Sequence, residues 1–290
     1  MSGRPLPYRL CDVFTDRALT GNPLAVFTDA RDLDTATMQA LAREMNLSES
    51  TFVLPGDTDC DARIRIFTPA VELPFAGHPS IGAAWVLARA GTIGTGPVRQ
   101  ECAAGLVPVR VDDDGAGIDG GHPEVGADLD AAALAAAVGL GPGDIDGTGR
   151  PGAAAAGVPF GFLQVRDGAV ARARPDADAI CAATPGLVGL VLFSFDAGPG
   201  RAHVRMFAPG AGVPEDPGGG ASAVALGVHL VDRGLLPPDG PSSFTISQGT
   251  EIGRPSALRV EVSAENARAV ATAVSGAVVA VARGELLRLP

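Results

Sequence analysis

Along the 290-residue chain, apolar and polar positions mostly alternate with a period of two, and only a few stretches show helical spacing. Residues 8–14 alternate as a strand, and 24–27 read as its partner across the turn chemistry of Thr20-Gly21-Asn22-Pro23. Residues 34–45 place Met38, Leu41 and Met45 on one helical face, with Asn46 as the stop. Further strands are expected over 51–54, 63–67, 107–111, 160–165, 187–195, 245–247, 258–262 and 277–282, and short helices over 129–138 and 180–183. Two helical stretches differ from the rest. Residues 80–89 and the segment after Pro217 have no consistent polar face, so other structure must enclose them.

These two helices belong to a stretch that occurs twice. Residues 63–87, RIRIFTPAVELPFAGHPSIGAAWVL, return from His203 as HVRMFAPGAGVPEDPGGGASAVALGVHL. Phe67 and Pro69 match Phe207 and Pro209, 140 residues on; Pro79 and Gly82 read as matching Pro217 and Gly220, 138 residues on. The repeat predicts two pseudo-symmetric halves of an α+β protein. Each is a barrel-like sheet wrapped around one buried helix, with the Gly-rich helix starts facing a shared cleft. The expected first half is 1–118, completed by the C-terminal strand 273–290, and the second is 125–272. Residues 112–128, rich in Gly and Asp with little to bury, read as the linker.

Composition narrows the function. A net charge of −11 disfavours nucleic acid, and no basic amphipathic segment suggests a membrane surface. All 22 basic residues are arginine, which excludes a Schiff-base lysine and a phosphate-loop lysine. Cys11, Cys60, Cys102 and Cys181 are scattered without metal-ligand spacing and read as buried small hydrophobes. No signal-peptide core or bilayer-length apolar run is present, so a cytoplasmic protein is expected.

Candidate chemistry gathers at the two junctions before the buried helices. Gly77-His78-Pro79 and Glu215-Asp216-Pro217 read as equivalent, with His78 opposite Asp216. First-turn amides are unsatisfied donors and the helix dipole favours an anion, so two such starts suit a carboxylate; a capping role is the simpler alternative at either one. Glu49 sits at a helix-to-strand turn, and its counterpart near Val188-Gly189 is neither acid nor base. An apolar setting would raise its pKa towards neutrality, suiting a group that takes and returns a proton. Gln248-Gly249 and Gly253-Arg254-Pro255 read as structural turns, and His122, His203 and His229 as packing or surface residues.

Several motifs, in order, resemble the phenazine-biosynthesis PhzF-like isomerases, relatives of diaminopimelate epimerase and proline racemase. They are Asp12-Val13-Phe14-Thr15, Gly21-Asn22-Pro23-Leu24-Ala25-Val26-Phe27, Asn46-Leu47-Ser48-Glu49-Ser50-Thr51-Phe52, Arg65-Ile66-Phe67-Thr68-Pro69, Phe75-Ala76-Gly77-His78-Pro79, Glu215-Asp216-Pro217 and Gln248-Gly249 with Gly253-Arg254-Pro255. The resemblance implies a diaminopimelate epimerase-like fold. It also implies Glu49 as catalytic acid/base, and His78, Asp216 and the Gly77 amide in the pocket. Where the family usually continues Ala-Thr-Gly-Ser, this chain has Gly218-Gly219-Gly220-Ala221, with Ser222 one place late. Two hydroxyls are lost there, so a changed substrate is expected. The paired thiols of the epimerase relatives have no counterpart near Ala76 or Pro217-Gly218.

The expectation is therefore a cofactor-free isomerase, without a metal, that moves a proton within a small unsaturated carboxylate. Such a substrate would be anthranilate-like or of unsaturated proline type and belong to secondary metabolism, in the manner of antibiotic biosynthesis. Glu49, His78 and Asp216 would be catalytic; Gly77, Pro79, Ser80, Gly219, Gly220, Ala221 and Ser222 would bind substrate. The resemblance implies a homodimer. The rival readings are an epimerase or dehydratase of a hydroxy-amino acid, and a non-catalytic small-molecule binding protein.

Overall fold

The structure, a computed structural model, describes residues 5–56 and 59–287. The chain divides into two units, Met1–Ile118 with Ser275–Pro290, and Asp119–Val274. The first contains β1 Leu6–Val13, β2 Asn22–Phe27, α1 Thr35–Met45, β3 Glu49–Leu54, β4 Ala62–Phe67, β5 Glu72–Leu73, α2 Gly77–Arg89, β6 Gly96–Cys102, β7 Gly105–Val111 and β8 Gly115–Asp119. The second contains β9 Pro123–Asp128, α3 Ala131–Ala137, β10 Gly152–Ala156, β11 Pro159–Gln164, α4 Ala169–Arg172, α5 Ala177–Ala183, β12 Leu190–Asp196, β13 Arg201–Ala208, β14 Val213–Asp216, α6 Gly220–Asp232, β15 Gly240–Gln248 and β16 Ser256–Glu265. A last strand, β17 Arg268–Leu286, starts in the second unit and ends in the first. Residues 288–290 of the expected C-terminal strand lie outside the described residues.

In the first unit the strands close a ring in the order β17, β1, β2, β3, β4, β6, β7, β8 and back to β17. Closure leaves this sheet no free edge. The second unit repeats the arrangement through β10, β11, β12, β13, β15 and β16, with β9 paired to β10. Parallel pairs fall at the same steps in both: β2/β3 and β4/β6 in one, β11/β12 and β13/β15 in the other. Each unit encloses its own apolar helix. α2 is buried from Gly77 through Leu87, and α6 from Ser222 through Val231. A helix apolar all round can satisfy the hydrophobic effect only inside such a sheet.

Outside the first ring, α1 covers one face. Its amphipathic spacing sets Met38, Leu41 and Ala42 against Phe27, Phe52 and Phe67. The Asp34 side chain accepts the Thr37 N–H at 2.8 Å to start it, and Asn46 ends it with φ at 50°, in the left-handed region. Phe27 stacks on Phe52 at 4.6 Å and Phe52 meets Phe67 edge-on at 5.4 Å. Burial stabilises each ring by roughly 1.5–3 kcal/mol relative to exposure.

Residues 112–128 hold the crossing between the two units, as strands and not as a loose loop. They contain β8 and β9, and the unit boundary falls between Ile118 and Asp119. Their glycines serve close strand approach: a Cβ on Gly115 would stand 2.1 Å from the Gly276 carbonyl oxygen. A Gly/Asp-rich composition thus marks tight pairing against β17 here, not a loose tether.

Candidate active site

Three polar side chains meet inside the first unit, each placed by the start of a different element. Parallel pairing sets Glu49, the first residue of β3, opposite Leu24 on β2, two residues after Asn22 opens that strand. His78 is the second residue of α2. Its Nδ1 lies 3.6 Å from Glu49 Oε2 and 3.3 Å from Asn22 Nδ2. His78 Nδ1 therefore faces both the Asn22 amide and the Glu49 carboxyl. The His78 and Glu49 side chains are only 6% and 15% exposed, and Asn22 is fully buried. Burial pushes the imidazole down to about 3, opposed only in part by the Pro23 carbonyl, so it is neutral near pH 7. No side chain caps α2, which leaves the positive end of its dipole beside this group.

Pro79 and Ser80 complete the first turn of α2, both buried. Pro79 has no N–H to offer, and Ser80 Oγ donates back to the Ala76 carbonyl at 2.9 Å. In the second unit Asp216 ends β14, opposite Met206 of β13. Its Oδ1 accepts the Gly218 N–H at 3.1 Å, and its backbone carbonyl accepts Gln248 Nε2 at 2.7 Å. Gly219 precedes α6 without a side-chain cap, Gly220 is its first residue and Ala221 is half-buried. Ser222 Oγ donates to the Gly219 carbonyl at 3.0 Å, so its proton is committed within the helix.

The junctions align differently from the sequence expectation. Arg65 forks Glu72 through Nε and Nη2 at 2.7 and 2.6 Å; Arg205 forks Glu215 at 2.8 Å through both. Each arginine also stands over a phenylalanine two residues on, at 5.1 and 5.0 Å. With Glu72 matched to Glu215 and the helix starts Gly77 to Gly220, the shift is 143 residues. The partner of Pro217 is therefore Pro74, not Pro79, and Gly82 lies mid-helix. His78 corresponds to Ala221, and Asp216 to Leu73. The stretch offers two prolines, and only the ion pair and the helix start decide between them.

The ladders align the rest. Ser50 faces Phe67 and Leu190 faces Phe207, so Gly189 holds the place of Glu49. The turns before β2 and β11 place Val158 where Asn22 stands. Asn22, Glu49 and His78 thus answer to Val158, Gly189 and Ala221: one half carries the polar group and the other does not. Asn22 is the member that sequence reasoning left as turn chemistry; its replacement by Val158 in the repeat is the signal that marks it.

The remaining polar residues take other parts. His203 pairs with Glu251 at 2.9 Å, while His229 stacks on Phe162 at 4.9 Å. The Cys11 thiol is buried and pushed well above its ordinary value by desolvation, an inert setting. Among the described residues no group of three or more His, Cys, Asp or Glu could hold a metal ion, and no helix is long and apolar enough to cross a membrane.

Comparison with known proteins gives this arrangement a context. A family model described as phenazine biosynthesis-like protein, PhzC-PhzF, matches residues 11–284. The chain is 39% identical to an uncharacterized isomerase of Mesorhizobium japonicum, over 96% of this chain and 98% of that one. It is 38% identical to the trans-2,3-dihydro-3-hydroxyanthranilate isomerase of Pseudomonas aeruginosa, again over 96% and 98%. A PhzF-family phenazine biosynthesis protein of Bacillus anthracis superposes with a TM-score of 0.89 at 22% identity, covering 98% and 100%. The solved neighbours make the fold diaminopimelate epimerase-like. Matched almost end to end, the chain belongs to the PhzC-PhzF family of phenazine biosynthesis-like proteins and is an isomerase.

Proposed function

We propose that this isomerase moves a proton along a conjugated, carboxylate-bearing metabolite, with Glu49 as the acid/base. The buried approach of Glu49 Oε2 to His78 Nδ1, 3.6 Å, supports this reading most directly. In the proposed cycle the Glu49 carboxylate takes a proton from a carbon activated by the neighbouring double bond. Electrons move along the conjugated system, and Glu49 returns the proton at its far end. His78, held neutral by burial, orients the carboxyl without competing for that proton. The amides at the start of α2 stabilise the charge that develops.

The candidate substrate is a cyclic unsaturated amino acid of the size of trans-2,3-dihydro-3-hydroxyanthranilate, the compound in the name of the Pseudomonas aeruginosa isomerase, and that likeness supports the reading. Gly219 and Ala221 offer no hydroxyl, and the Ser222 proton is engaged, so the start of α6 presents no free hydroxyl donor.

The test is turnover of that dihydroanthranilate by Glu49→Gln, with binding followed separately. Loss of a positioned acid/base costs about 10²–10⁴-fold in rate, so Glu49→Gln should bind substrate and fall in kcat by at least the lower figure. Near-normal kcat in Glu49→Gln would end the assignment.

A further inference from the structure

The first unit carries a second concave site that the isomerase chemistry does not use. A groove of about 520 Å³ runs between the C-terminal end of α2 and strands β1 and β17, lined among others by Arg9, Trp85, Val86, Arg89 and Arg283. Arg9 and Arg283 are directly opposed across the β1/β17 ladder. Like charges facing each other on adjacent strands destabilise a sheet. Among the described residues, no carboxylate lies within ion-pair distance of either arginine. Arg89 lies 5.7 Å over the Trp85 ring, and among the described carboxylates it reaches only Asp113, at 3.7 Å, whose side chain is 89% exposed.

The arginines are not needed to finish the helix. The last carbonyls of α2 already accept the N–H groups of Ala90, Gly91 and Thr92. Nor does overall charge explain them, since the chain carries −11 and this groove concentrates its opposite. Opposed arginines left unpaired at the rim of an apolar groove, whose floor is Leu10, Ala280, Ala282 and the narrow exposed edge of Trp85, match one chemical class.

We propose that this groove binds a small aromatic carboxylate, the guanidinium groups of Arg9, Arg89 and Arg283 taking the anion and Leu10, Ala280, Ala282 and the exposed edge of Trp85 the flat apolar part. It is an accessory site, separate from the Glu49 group.

Trp85 is the only tryptophan in the chain, so its emission reports on this groove directly. Phthalate, benzoate and inorganic sulfate would be titrated against the full chain with excitation at 295 nm, at ionic strength held constant with sodium chloride. Phthalate should give a saturable change, benzoate a weaker one, and sulfate little, since it lacks the ring. Arg283→Gln and Arg9→Gln should each weaken phthalate on the order of tenfold, the worth of one charge-assisted contact. Because each substitution relieves the opposed pair, the melting temperature should stay level or rise; a purely structural pair would make it fall. The proposal fails if no anion gives a saturable change, or if both variants bind phthalate as the parent does. It also fails if emission follows protein concentration without anion, which would assign the groove to a second copy of the chain.

Discussion

Gly189 occupies the place in the second unit that Glu49 occupies in the first, each one residue before the strand partner of a buried phenylalanine. The repeat places a carboxylate at one such position and no side chain at the other. A Cβ on Gly189 would come within 2.1 Å of the Phe207 carbonyl oxygen and 3.0 Å of the Ala208 Cα, so the backbone itself fills the space. The carboxylate of this repeat is therefore one-sided, and four consequences besides the Glu49 substitution can be measured.

The first concerns that closed position. Gly189→Ala should destabilise the chain by roughly 3 kcal/mol or more, because the clash is with backbone that cannot step aside. Gly147→Ala, where nothing lies within 4 Å of the added carbon, should be near neutral. Equal urea midpoints for the two variants would refute the argument.

A single base should leave an isotopic trace. If Glu49 is the acid/base proposed above, then with His78 held neutral the proton it takes has no second carrier in this group. Substrate deuterated at the donor carbon should deliver part of its label to the acceptor carbon of the product. Complete replacement by solvent hydrogen at the earliest turnover would instead demand a second base or fast exchange.

Acid should weaken the fold through two histidines. Burial pushes both His78 and His229 from 6.5 down to about 3, the Arg233 cation assisting at His229 and Asp128 opposing. Below pH 6.5 the unfolded chain takes up protons that the native chain refuses, so stability is full above that value and falls towards pH 3. Each histidine contributes a slope of up to about 1.4 kcal/mol per pH unit, or about 2 kcal/mol between pH 7 and 5. His229→Phe, which keeps the stacking on Phe162, should remove about half of this dependence in urea titrations. An unchanged slope would count against His229 as a source.

The paired arginine forks should differ in worth. Arg205 and Glu215 have side chains only 7% and 10% exposed, and Arg205 also donates to the Ala173 carbonyl at 2.9 Å. Arg205→Leu strands a buried carboxylate and should cost about 3–5 kcal/mol. Arg65 and Glu72 are 24% and 32% exposed, so Arg65→Leu should cost less than about 1 kcal/mol. Equal losses in chemical denaturation would show that burial does not set the difference.

Much of this protein was legible in local pattern. The amphipathic run with Asp34 before it and Asn46 after it determined α1, and the wholly apolar helices announced that sheets must surround them. The recurrence of Phe67 and Pro69 at Phe207 and Pro209 determined the doubling, and the asymmetry at Glu49 marked where to look for a proton-transfer group. Such features depend on neighbours a few residues away, which periodicity and capping record. Tertiary structure decided the rest. Whether Pro217 answers to Pro74 or Pro79 hung on two ion-paired forks, and the strands within 112–128 on how closely β17 approaches Gly115. The meeting of Asn22, Glu49 and His78 required a parallel pairing and a helix start from distant parts of the chain. Linear spacing carries no distance between such groups; only the closure of the sheet around its helix supplies it.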